Sequence, residues 1–422
     1  MYKKKTLGNG LRIIMNRMPK MKSVSLGIWI KAGGRYEDAG NKGISHYLEH
    51  LLFKGTKKYS YRRLKELIEG KGGNLNGFTS EEVTCYLVKL PYRYLDLGLD
   101  ILSDMVINPL LPEVEVQKER TVILEELKMY RDLPQSYVYE LLDELLWPQH
   151  ALGMSIIGSV ESINTITRQD LYSYKNKYYT PLNIVVSIAG LFEPDNFTKR
   201  VATLFSHSKD QNINTFLEAK EAQGKPQFNF LHKDTEQTHL ALGFHAYKRG
   251  HPLKYAQALL HVVLGANMSS RLFNVVREEL GLAYEIGTQV KPFADTGAFL
   301  VHAGIDNRKV NQAISVILKE LRNIKENLIT EDEFKRAKEF YLGQLELALE
   351  DTMDNMLWIG DSVVTMDKAY TLEEAAEEVK SLKRQDIRKV AQYLFEENKI
   401  NLAVIGPVND TKEDIAKQLH FS

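Results

Sequence analysis

Short runs of β-branched and aliphatic residues alternate along this chain with longer stretches of helical period. SVSLGIWIKAG (23–33), CYLVKL (85–90) and NIVVSIAG (183–190) are compact apolar runs that predict strands. NKGISHYLEHLLFKGT (41–56) and EVEVQKERTVILEELKMYR (113–131) have the spacing of amphipathic helices, the second starting after Pro112. The alternation predicts a mixed α and β protein.

The pattern lapses between His207 and Gln227. HSKDQNINTFLEAKEAQGKPQ is polar and aperiodic, with Gly224 and Pro226 as breakers, which is how a connection between domains reads. A chain of 422 residues exceeds what one hydrophobic core usually supports. The expected organisation is therefore an N-terminal domain over 1–210, a linker over 211–227 and a C-terminal domain over 228–422.

The two halves also resemble one another. RQDLYSYKNKYYTPLNIVVSIAG (168–190) and RQDIRKVAQYLFEENKINLAVIG (384–406) share an Arg-Gln-Asp start, a helical stretch, an apolar strand and a closing Gly, displaced by 216 residues. HYLEHLLFKG (46–55) falls over QALLHVVLGA (257–266), so that His50 meets His261 while Gln257 and Leu260 stand in the places of His46 and Glu49. The pattern predicts duplicated domains, of which the first alone retains the polar cluster.

Charge and cysteine usage narrow the chemistry. Lys plus Arg equals Asp plus Glu at 55 each, so there is no overall field to draw the chain onto nucleic acid or an anionic membrane. The opening MYKKKTLGNGLRIIMNRMPK lacks an apolar secretory core, and no later run is long enough to span a bilayer. The expectation is a cytoplasmic protein without membrane insertion. Cys85 is the single cysteine, which excludes an internal disulfide and cysteine-based zinc sites, leaving histidine and carboxylate for any metal.

HYLEH carries that possibility. Residues four apart share a helix face, so His46 and His50 can aim at one ion while Glu49 stands beside it. A carboxylate near a metal but not bound to it can act as general base, and the order His-x-x-Glu-His is the inverted form of the helical zinc-peptidase motif. The plain alternative is a surface helix with polar decoration.

A zinc site needs a third protein ligand, and the helix over 113–131 offers Glu119, Glu125 and Glu126. At about 100° per residue, Val116, Val122, Ile123, Leu127, Met129 and Tyr130 define an apolar arc. Glu119 and Glu126 fall near its middle and Glu125 at its edge. An acid on a buried face is costly unless it is paired or ligating. Seven residues separate Glu119 from Glu126, about 10 Å along the axis, so one straight helix cannot bring both to one ion. Glu126 as ligand leaves Glu119 to support the site; a salt bridge to a buried Arg or Lys is the other reading of Glu119.

HYLEHLLFKGT, then GGNLNGFTSEEVTCY, ERTVILEE and SSRLFNVVREELGLAY (269–284), occur in an order and spacing that resemble the pitrilysin/insulinase superfamily of zinc peptidases. The likeness is greatest to the branch containing mitochondrial processing peptidase and small bacterial processing proteases. It implies an α+β fold of two similar domains, each a mostly antiparallel sheet with helices packed on it, enclosing a cavity. It also implies one zinc per chain held by His46, His50 and Glu126, with Glu49 as general base and Glu119 in support. Arg277 and Tyr284 match a pair that faces the zinc from the second domain and contacts the substrate carbonyl, as donors suited to an oxyanion. Asn76, Gly77 and Phe78 match an edge strand to which an extended peptide adds, and Phe53 a position near the primed-side pocket. Without the resemblance, Arg277 is a surface residue, Tyr284 and Phe53 are core aromatics and Gly77 belongs to a loose turn.

The implied activity is zinc-dependent endopeptidase action on extended peptides or unfolded segments, by a homodimer. The contrasting reading is a non-catalytic or partner-dependent subunit of a processing-peptidase-like assembly.

Overall fold

The computed structural model describes residues 2–206, 215–408 and 412–420. The first part of the expected linker, 211–214, lies outside the described residues. The strands are β1 (Lys3–Thr6), β2 (Arg12–Arg17), β3 (Ser23–Ile30), β4 (Asn74–Thr79), β5 (Thr84–Pro91), β6 (Ile184–Gly190), β7 (Gln227–His232), β8 (Gln237–His245), β9 (Ala283–Pro292), β10 (Gly297–Asp306) and β11 (Asn401–Gly406). They form one sheet of order β1-β2-β6-β3-β5-β4 and another of order β7-β11-β8-β10-β9.

With β1 set aside, the two orders are the same. Each begins with a parallel pair, β2 with β6 and β7 with β11, and continues antiparallel. The two Arg-Gln-Asp texts open helices of equal length, Arg168–Tyr178 and Arg384–Leu394, which lead into β6 and β11. Among the described residues no helix is long and apolar enough to cross a membrane.

The compact units do not coincide with contiguous halves cut at 211–227. One consists of Met1–Leu127, Ser155–Leu217 and Leu345–Leu372; the other of Lys128–Met154, Glu218–Gln344 and Glu373–Ser422. The reason is packing: each sheet is covered on one face by a helix drawn from the other half of the sequence.

In the first unit, strand alternation sorts side chains onto two apolar faces. Leu26, Ile28 and Ile30 of β3 and Tyr86, Val88 and Leu90 of β5 join a core with Tyr47, Leu48, Leu51 and Leu52 from the helix Ile44–Leu52. Trp29, Cys85, Leu87, Val185 and Ala189 face the opposite way, against Met356, Ile359 and Val363 of the helix Thr352–Met366. Burial on both faces explains why these strands read as continuous apolar runs. The second unit repeats the device. Val138, Leu141 and Leu142 of the helix Pro134–Leu146 pack on Ala241, Leu300, Ala403 and Ile405, and Lys291 closes on Asp143 at 2.6 Å.

The helix Thr352–Met366 approaches its sheet closely because glycines meet there. A Cβ at Gly27 would lie 2.6 Å from Met356 Sδ, and one at Gly360 would collide with the Trp29 indole nitrogen, which donates to Ser187 Oγ at 2.8 Å. Gly360→Ala is expected to lower stability by about 1–3 kcal/mol through overpacking, checked by the midpoint of urea unfolding followed by tryptophan fluorescence.

Candidate metal centre

The helix Ile44–Leu52 is entered through Gly43, whose φ of +94° is a left-handed conformation that suits glycine. A side chain there would also collide with the Ile157 carbonyl. The first N–H groups of a helix have no partner within it. Here the buried Glu37 carboxylate takes two of them, accepting from Gly43 N at 2.9 Å and Ser45 N at 2.8 Å. Negative charge at this end also complements the helix dipole. Lys42 Nζ stands 3.5 Å from Glu37 and donates to Gly34 O at 2.7 Å. Ser45 Oγ and Tyr174 OH are 2.6 Å apart, and Tyr47 OH donates to the Val116 carbonyl on the helix Glu113–Asp132. Start and rotation are thereby fixed, and the face carrying His46, Glu49 and His50 is turned out of the apolar core.

His46 Nε2 lies 3.8 Å from Glu126 Oε1, and His50 Nε2 lies 3.7 Å from Glu126 Oε2. Ligand atoms of these three residues all fall within 4.8 Å of one another, the one such group of three among the described residues. Tetrahedral zinc with bonds of 2.0–2.2 Å spaces its donors by about 3.4 Å, so the donor set fits a zinc ion. His46 Nδ1 is buried without a hydrogen-bond partner, whereas His50 Nδ1 meets Glu119 Oε2 at 3.1 Å.

Glu119 is only 5% exposed, and its other oxygen, Oε1, lies 2.5 Å from Lys54 Nζ. Glu119 is thus salt-bridged to a lysine and also contacts a histidine of the cluster. The apolar arc needs correction. Val116, Ile123 and Leu127 are buried, but Val122, Met129 and Tyr130 are 48%, 53% and 37% exposed. Apolar identity did not guarantee cover for that side of the helix. Glu126 is half-buried and Glu125 exposed, the order that helical phase suggested.

Burial, reinforced by the charge of His50, pushes His46 down to about 3, so it stands neutral with the lone pair of one ring nitrogen available. For His50 burial acts downward, but the bond to Glu119 and the charges of Glu49, Glu126 and Glu119 outweigh it and the net shift is upward. Glu119 is held below the usual carboxylate range: burial would raise it, and His50 and Lys54 together overcome that. Burial raises Glu126, with His50 opposing. Burial also raises Glu49, against the pull of His50 and of Thr79, whose hydroxyl donates to Glu49 Oε2 at 3.1 Å.

Thr79 lies on β4, the last strand of its sheet, which pairs with β5 on one side. On the same strand a Cβ at Gly77 would sit 3.1 Å from the Phe53 ring and 3.2 Å from Glu49 Oε1. Phe53 is half-buried and packs on the core, 6.2 Å from the Tyr86 ring. Asn76 is exposed and its Oδ1 accepts from Gly77 N at 2.9 Å. Phe78 points to the other sheet face, edge-on to Trp29 at 5.7 Å, so its side chain anchors the strand there.

In the second unit, Arg277 belongs to a π-helical stretch, Phe273–Glu279. Its guanidinium lies 4.6 Å from the Phe273 ring centre and 5.6 Å from that of Tyr284. Tyr284 is 75% exposed, which overturns the core reading of that residue. In the degenerate copy, Gln257 Oε1 accepts from Tyr247 N at 3.0 Å, Leu260 is fully buried and His261 Nδ1 meets Thr288 Oγ1 at 2.7 Å. Those positions serve local structure.

Sequence reasoning missed Glu37, Lys54 and Thr79. Lys54 had a signal, since it stands four residues after His50; the partners of Glu37 and Thr79 follow from tertiary placement. Glu37→Ala would strip the helix start and leave Lys42 buried beside an absent partner, an expected loss of about 3–5 kcal/mol measurable by chemical denaturation.

The family described as Insulinase (Peptidase family M16) matches residues 12–160, and that described as Peptidase M16 inactive domain matches residues 165–341. A Bacillus subtilis protein named as an uncharacterized zinc protease is 36% identical over 411 residues, 96% of this chain and 98% of that one. The crystal structure of a protease from Helicobacter pylori superposes with a TM-score of 0.91 at 24% identity, covering 96% of this chain and 99% of the other. A chain of Complex III2 from Candida albicans superposes at 0.85 with 19% identity, covering 99% of each. These two likenesses establish the α+β fold.

Proposed function

The chain belongs to the insulinase family of peptidases, M16, and from that premise we propose that it is a zinc-dependent endopeptidase acting on extended peptides or unfolded polypeptide segments. The observation that carries the reading is the convergence of His46, His50 and Glu126 beside a fourth group, Glu49, that is near them but outside the ligand set.

His46, His50 and Glu126 would hold the ion. The chemistry zinc supplies when bound is Lewis-acid polarisation and activation of water at neutral pH. Glu49 takes the proton from the attacking water and returns one to the leaving amine. Its position supports this role: Thr79 fixes one carboxylate oxygen, and the missing side chain at Gly77 leaves the other accessible. Glu119 orients His50.

A peptide would add along the open side of β4, where Asn76, Gly77 and Phe78 offer backbone groups. Phe53, lying under Gly77, would shape the adjoining pocket. Arg277 and Tyr284 would act as donors to the oxyanion; the aromatic faces beside Arg277 support a fixed guanidinium. We place the protein in the processing-peptidase-like branch, in the cytoplasm, as a homodimer with one zinc per chain.

Glu49→Gln is expected to keep stoichiometric zinc and to lose hydrolysis of an unstructured peptide by about 10²-fold or more. Elemental analysis beside a peptide-cleavage assay checks both, and retained turnover in the zinc-loaded variant overturns the assignment. Hydrolysis that appears only on adding a different protein chain would favour the partner-dependent subunit. Gly77→Val should crowd Phe53 and Glu49 and lower kcat/KM by about tenfold or more, since small misplacements at a reacting centre are costly; steady-state kinetics on the same peptide gives the measurement.

A further inference from the structure

The sequence around HYLEH ends in Phe-Lys-Gly-Thr, and the mechanism above leaves the lysine unused. We propose that Lys54 is a positioning residue of the metal centre, holding Glu119 against His50 and so setting how tightly the site retains its ion. This rests on the zinc-site reading for the identity of that ion.

Glu119 is a buried carboxylate, and a buried carboxylate needs a partner on each oxygen if it is to stay in one place. It has one cationic or protic partner on each: Lys54 Nζ on Oε1 at 2.5 Å and His50 Nδ1 on Oε2 at 3.1 Å. The lysine is itself constrained. Its backbone N–H donates to Leu51 O at 3.0 Å as the helix Ile44–Leu52 ends, its ammonium lies 5.2 Å from the Tyr61 ring centre, and its side chain is 19% exposed. Chain spacing delivers it, because Lys54 follows His50 by four residues and reaches the same side of the helix end.

The three groups form a line. Lys54 pins one oxygen of Glu119, the other oxygen accepts from His50 Nδ1–H, and His50 Nε2 is left facing Glu126. A histidine whose second nitrogen donates to a carboxylate is fixed in ring orientation and tautomer. Removing the lysine would leave one oxygen of Glu119 without that partner and the carboxylate free to turn away from His50. Charge is part of the same account: Glu49, Glu119 and Glu126 crowd one site, and Lys54 supplies permanent positive charge against one of them. Arginine preserves that charge and donates two bonds to a carboxylate, so it should substitute in part.

The test measures zinc affinity of the full chain by competition with a chelator of known strength, together with the unfolding midpoint of the metal-free protein. Lys54→Met is expected to weaken zinc binding by about 10–100-fold, the range for loss of a group that orients a ligand, and Lys54→Arg to recover most of the loss. Lys54→Met combined with Glu119→Gln should bind zinc no more weakly than Glu119→Gln alone, because the lysine acts through that glutamate. Unchanged affinity in Lys54→Met with a lowered unfolding midpoint would reduce the residue to a stability role and overturn the proposal, as would additive losses in the double variant. A wild-type protein that takes up no stoichiometric zinc would sink the zinc-site reading as well, an outcome distinct from tight wild-type binding that Lys54→Met leaves unaltered.

Discussion

The helix that carries both histidines, Ile44–Leu52, has nine residues, too few to hold its shape alone in water. Its existence depends on what receives its first N–H groups, and that is the Glu37 carboxylate with Lys42 beside it. Once the start is set by Glu37 and the rotation by Tyr47 and Ser45, the helical repeat leaves His46, Glu49 and His50 no independent freedom. The core beneath supplies a second constraint, since Leu48, Leu51 and Leu52 are fully buried and any roll of the helix would expose them.

The site concentrates charge that its surroundings only partly balance. Glu49, Glu119 and Glu126 gather around two histidines, one of which burial keeps neutral. With Lys54 paired to one of the three carboxylates, a divalent ion is the kind of charge the arrangement accommodates. Burial is the largest cause of the upward displacement of both Glu49 and Glu126, opposed in each by His50. Burial strengthens these interactions, while the edge strand β4 borders the cluster through Thr79 and Gly77.

Much of this was legible in the text of the chain, for local reasons. His46 and His50 are one helical repeat apart, and helical phase separated Glu126 from Glu125. The duplication showed itself because strand and helix recur at one offset, and the sheet orders repeat it in three dimensions. The arc used to judge Glu126 was too wide, because Val122, Met129 and Tyr130 are apolar without being covered. Apart from the resemblance Tyr284 looked like core, and at the start of its strand it is exposed, aromatic identity alone not ensuring cover. The contacts of Lys54 with Glu119 and of Glu37 with the helix start required knowing which segments meet. The exchanged helices were hidden for a related reason: amphipathicity announces that a helix has an apolar face without naming the sheet it will cover.

That exchange bears on how the protein is made. As the chain emerges from the ribosome, β1 to β6 are complete by Gly190, yet the face bearing Trp29, Cys85, Leu87 and Val185 has no cover until Thr352–Met366 has been synthesised. At about 5–20 residues per second, that apolar face waits many seconds as an exposed surface open to chaperones and to wrong partners. The second sheet faces the reverse situation, its covering helix Pro134–Leu146 being translated before any of its own strands. The nascent first sheet is thus a half-finished structure whose completion waits for a helix that starts only at Thr352, although the residues that gather at the candidate metal centre are all present by Glu126.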